Sequence, residues 1–129
     1  MKRIILLAFL CTTTLVMAQR INHVQEAIAN YDYEAALTLI AKEKPTIPLL
    51  LQKGKAQRGL GMNTEALSTY QEIITNDTAN TRAYIEAAEC CRSLAKYQQA
   101  LKYYEQALDL NPENKYVRIQ YISLLLSQQ

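Results

Sequence analysis

His23 is the only histidine in this 129-residue chain, and Cys11, Cys90 and Cys91 are its only thiols. A serine or cysteine nucleophile needs a base beside it. The one histidine falls, by the repeat register described below, toward the core of the first helix pair, so no credible base remains. Gly-rich phosphate loops, a nucleophile elbow and metal-spaced clusters of Cys and His are all missing. Glu86, Glu89, Glu105 and Asp109 recur at helical surface spacings and read as solvated. Neighbouring helix residues point about 100° apart, so a Cys90–Cys91 bond would be strained. An intermolecular bridge through Cys90 stands beside a plainer reading, in which Cys91 is a small core residue and Cys90 its incidental neighbour. Catalytic, cofactor-binding and metal-ligating residues are therefore assigned to none of the chain, and no enzyme is expected.

Half the residues are apolar, with three glycines and three prolines in all. That composition favours an all-α fold of one domain or a short repeat array. The formal charge of +2 belongs to Lys2 and Arg3, which precede an apolar run from Ile4 to Leu10 continuing to Ala18. A basic start, a short apolar stretch and the small pair Val16 and Ala18 ahead of Gln19 are the parts of a secretory signal peptide over residues 1–18. With its threonines the run falls short of the roughly 20 apolar residues that span a bilayer, so no integral membrane span is expected after cleavage. Removal leaves twelve basic and twelve acidic residues. Nucleic acid is then an unsuitable partner, because phosphate binding needs a cationic surplus. Export would deliver residues 19–129 to the periplasm or the medium, with a Gram-negative bacterium as the expected source. It would also remove Cys11 and exclude a disulfide framework.

Sliding the sequence along itself by 34 residues superposes Leu60 on Leu94, Ala66 on Ala100, Leu67 on Leu101, Tyr70 on Tyr104 and Asn80 on Asn114. Apolar residues from Tyr84 to Cys91 and from Tyr97 to Leu108 follow the three-and-four spacing of amphipathic helices. Two antiparallel helices can cross closely only where side chains are small, which Gly54 or Ala88 and Ala66 or Ala100 provide. Tyr70 and Tyr104 then fill the space toward the next pair. Turn signals separate the helices at Gly59 and Gly61, at Asn76 with Asp77, and at Asn111 with Pro112. The pattern predicts helices near 20–30, 33–43, 47–60, 63–75, 81–94, 97–109 and 115–127.

A 34-residue helix-turn-helix with small residues at these offsets resembles the tetratricopeptide repeat (TPR). Thr81 to Asn114 carries the resemblance most strongly, through Tyr84, Ala87, Ala88, Cys91, Tyr97, Ala100, Tyr104, Ala107 and Pro112. Ile47 to Asn80 follows less closely, with Lys53 and Gln57 at positions usually apolar. A degenerate copy spans Gln19 to about Lys44 and is some four residues short, with Glu43, Lys44 and Pro45 replacing the usual turn. The implied fold is a short right-handed superhelical solenoid of about three repeats plus a C-terminal capping helix.

In this family the first helix of each pair lines a concave groove. The resemblance therefore places Leu51, Lys55, Arg58, Arg82, Ile85, Glu89, Arg92, Tyr116 and Ile119 toward a partner, with Ser123 beside them. That mixture suits a protein or peptide carrying acidic and apolar groups; the other reading is a solvated face. The family's clamp for a chaperone's terminal carboxylate is disfavoured, since Ile21, Gln25, Gln52 and Glu86 occupy several of its places. A terminal cap should present a polar outer face, yet the last helix ends in Tyr121, Ile122, Ser123, Leu124, Leu125 and Leu126. Tyr121, Ile122 and Leu125 are expected to pack back, leaving Leu124 and Leu126 as a partly exposed interface for a second copy, another protein or a continuation of the chain. Two functional readings follow: a non-catalytic adaptor in the bacterial cell envelope, or a structural or regulatory module of a larger envelope protein.

Overall fold

The computed structural model describes residues 1–129 as seven helices and no strand: α1 Lys2–Ala29, α2 Tyr33–Ile40, α3 Ile47–Gly59, α4 Asn63–Asn76, α5 Thr81–Ser93, α6 Tyr97–Leu110 and α7 Lys115–Ser127. Each helix packs on its neighbours in the chain, so the elements stack as a solenoid. The helix starts repeat with the sequence. Thr46, Asn80 and Asn114, spaced by the repeat period, each accept a hydrogen bond from the backbone N–H three residues on and so cap α3, α5 and α7. Pro48 sits in the first turn of α3, where its missing N–H is harmless. The turns between paired helices use left-handed backbone at Tyr31, Gly61 and Ala95, and only Gly61 takes up that conformation without steric cost.

Seventeen buried residues from α3 through α7 form the main core, among them Tyr70, Ile73, Ala87, Ala88, Ala100, Tyr104 and Val117. Gly54 supplies the close helix crossing expected of it: a β-carbon there would lie 2.5 Å from the Tyr70 ring, which is itself 1% exposed. A separate six-residue core of Val24, Ile28, Ala36, Ile40, Leu49 and Ala56 joins α1 and α2 to α3.

Several expectations need correction. His23 lies on the outer face, with its side chain 64% exposed and 4.0 Å from Glu26. Val24 and Ile28 turn inward instead, and the residue before Val24 is rotated by about 100° from that direction. Cys90 is no incidental neighbour, because both it and Cys91 are fully buried. Helix α2 stops at Ile40, where i to i+3 bonds from Lys42 and Glu43 tighten the chain into a turn before Pro45. The first helix, expected near 20–30, starts at Lys2, within the N-terminal basic and apolar segment. It is a helix of 28 residues with an 18-residue window of mean hydropathy 1.9, long and apolar enough to cross a membrane, as signal sequences also are. Residues 1–20 are exposed throughout, and the buried part of the helix begins at Val24.

Candidate peptide-binding surface

The first helix of each pair places its polar face alongside the next. The Arg58 guanidinium on α3 donates to Glu86 on α5, and one repeat later the Arg92 guanidinium donates to Gln120 on α7 at 2.6 Å. Both bonds join residues 28 apart, so the same position of each repeat reaches the same position of the next. Glu89 gathers a second set of donors. The Tyr104 hydroxyl donates to it at 2.6 Å and the Tyr116 hydroxyl at 3.0 Å, while the Arg92 guanidinium lies 3.6 Å away. Burial, and then the Glu89 carboxylate, push the Tyr104 and Tyr116 phenols above their ordinary range, which keeps both as neutral donors. At Arg58 burial opposes the charge, but the Glu86 carboxylate together with Cys90 and Tyr70 raises the guanidinium on balance. Burial pushes the Cys90 thiol up to about 12, an unreactive setting for a cysteine.

These bonds divide the expected site residues into two sets. Arg58, Glu89 and Arg92 are brought together on one surface, but they are engaged by the protein itself. Leu51 and Ile85 are half-buried against the main core. Lys55 and Arg82 are exposed and make no ion pair, and Tyr116 and Ile119 are 52% and 64% exposed. The surface runs into a cavity of about 630 Å³ at the C-terminal ends of α5 and α7, bordered by Glu89, Arg92, Ser93 and Tyr97. Glu86, Gln120 and Tyr104 were not anticipated as polar partners of this surface. The recurrence of Arg58 and Arg92 at one repeat position, each with an acceptor 28 residues on, is the signal that could have found the first two.

The terminal interface is also corrected. Leu124 is 5% exposed and, with Val117, is one of the two buried residues of α7. Ile122 and Leu125, expected to pack inward, are 47% and 38% exposed, and Leu126 is 63% exposed. No cluster of three or more His, Cys, Asp or Glu side chains is placed to hold a metal ion.

With this geometry, residues 81–114 match the family described as Tetratricopeptide repeat. Residues 81–114 form a tetratricopeptide repeat. A human relative, Tetratricopeptide repeat protein 6, is 30% identical over 89 residues, which is 69% of this chain and 16% of that protein. The chain thus spans about a sixth of the length of the curated relative that it matches. Among solved structures, the first TPR of Spaghetti (RPAP3) bound to the HSP90 peptide SRMEEVD superposes with a TM-score of 0.81 at 19% identity, covering 86% of this chain and 91% of that one. The Yersinia enterocolitica type III secretion chaperone SycD, in complex with a peptide of the translocator YopD, also gives 0.81, at 16% identity over 88% and 95% of the two chains. The Arabidopsis OM64 TPR domain gives 0.79 at 18% identity over 85% and 94%. The fold is that of a TPR solenoid.

Proposed function

We propose that the α3–α5–α7 surface of this TPR solenoid holds a partner peptide or protein and that the chain serves as a non-catalytic scaffold. One observation carries the reading. Lys55 and Arg82 stand free of carboxylates on the first-helix face that also carries exposed Tyr116 and Ile119, a face whose other charges bond to one another. The groove is therefore cationic and apolar where it is available, which suits a segment bearing acidic and apolar side chains. Two of the similar structures hold peptides by name, the HSP90 peptide on Spaghetti and the YopD peptide on SycD, and this supports the same use here. Glu86 takes a place of the terminal-carboxylate clamp and is bonded to Arg58, so the acidic groups would be read along the segment rather than at its end.

Charge reversal is the test. Lys55→Glu with Arg82→Glu should weaken binding to acidic-apolar peptides on an array by about tenfold or more, at unchanged helicity. Equal retention of the same peptides by the wild type and the double variant sinks the reading. Arg58 and Arg92 are poorer choices, because substituting them releases the bridges between helices.

We also propose that residues 1–18 direct export and that the scaffold works in the cell envelope. Their basic start, their apolar stretch and their full exposure along α1 support this. The secreted form should then have the mass of a chain beginning at Gln19; a mass retaining Met1 would count against cleavage.

A further inference from the structure

Three departures from the repeat pattern meet at one place: Lys53, Gln57 and the shortened turn from Glu43 to Pro45. Helix α2 has 8 residues where α4 and α6 have 14 each. The missing turns leave a notch of about 380 Å³ where the end of α2 meets α3. Its apolar lining is Leu37 and Ile40 from α2 with Leu49 and Leu50 from α3. Gln57 borders it, its amide oxygen already accepting a bond from the Thr69 hydroxyl at 2.7 Å. Lys44 and Lys53 also line it, and neither makes an ion pair. Glu43 lies beside them, but Arg20 holds its carboxylate at 2.7 Å.

The repeat itself shows that Lys53 is out of place as a packing residue. Its counterpart one repeat later is Ala87, which is fully buried. A lysine in that position would lose its hydration if α2 ran to full length, whereas the notch leaves the ammonium reachable. By helical rotation Leu49, Lys53 and Gln57 lie on the side of α3 opposite Leu51, Lys55 and Arg58. The notch is thus separate from the peptide-binding surface, and a ligand in it would leave that surface open.

We infer that this notch binds a single-chain aliphatic carboxylate, with its hydrocarbon on the leucine and isoleucine lining and its carboxylate between Lys44 and Lys53. The volume lies in the range of small-molecule sites. Apolar lining excludes a bare inorganic anion as the best fit, and two unneutralised ammonium groups select an acid over an alcohol.

Octanoate is the probe. Titrated into the full-length chain and followed by amide NMR, it should shift resonances of residues 37–57 saturably. Octan-1-ol should bind about tenfold more weakly, as should octanoate to a Lys44→Glu, Lys53→Glu variant. Both lysines lie outside the two apolar cores, and the variant's own spectrum reports whether it is folded. Shifts that fail to saturate, or that centre on the exposed apolar residues 4–17, overturn the proposal. So does undiminished binding to the folded variant, or shifts at residues 37–57 from an acidic peptide but not from octanoate.

Discussion

Tyr104→Ala is expected to lower the unfolding free energy by about 3–5 kcal/mol, the range for removing a buried aromatic ring, as read from the midpoint of urea unfolding at unchanged slope. Tyr104 of α6 is fully buried in the main core, which also holds Ala87 and Ala88 of α5. The ring also carries the hydroxyl that donates to Glu89, so truncation removes packing and a polar partner together. Tyr104→Phe separates the two contributions. Retaining the ring and deleting the hydroxyl should cost only about 1–2 kcal/mol, because Tyr116 and Arg92 still face Glu89. Equal losses for the two variants would show that the hydroxyl, not the ring, holds α5 and α6 together.

Leu124→Asp should release α7. Leu124 and Val117 are the only residues that this helix buries, and the new carboxylate would lie in an apolar contact beside the cavity that Glu89 borders. A buried, unpaired charge costs more than the lost leucine contacts, so a penalty of about 3 kcal/mol or more falls on one terminal helix. The expected result is local: residues 115–127 become protease-sensitive and helicity drops by about one helix, while α3 to α6 stay folded. Leu126→Asp is the control. At 63% exposure it should change stability by less than about 0.5 kcal/mol. If Leu126→Asp frees the helix and Leu124→Asp does not, the assigned rotation of α7 is wrong.

That rotation shows what the sequence could and could not disclose. Thr81 to Asn114 was legible almost residue by residue, because small residues and tyrosines at helix crossings have few substitutes. Helix α7 was misread because its apolar side chains nearly encircle it and its position in the repeat was not applied. Val117 and Leu124 stand one period after Ala83 and Cys90, both fully buried, whereas Ile122 and Leu125 stand where Ala88 and Cys91 meet the second helix of their own pair. Ile122 and Leu125 are correspondingly exposed, at 47% and 38%. At the surface, Lys55 and Arg82 are exposed and make no ion pair. Arg58 and Arg92 were not seen to be engaged, since an ion pair between repeats depends on side-chain reach rather than on residue type. His23 corresponds, through the equivalent turn residues Tyr31 and Ala95, to Ala87, so the position that is fully buried in the third pair is exposed in the first.

The division of the apolar interior into two clusters, seventeen residues from α3 onward and six around α1 and α2, bears on how the chain reaches this shape. Nearly all packing is between neighbours along the chain, so little loop-closure entropy opposes any single docking step. Assembly can begin at α5 with α6, where small residues and tyrosines interlock, and spread outward in both directions. The amino-terminal pair is held to α3 by the smaller of the two cores, so the segment that lends α3 half of the notch is expected to open more readily than α5 with α6.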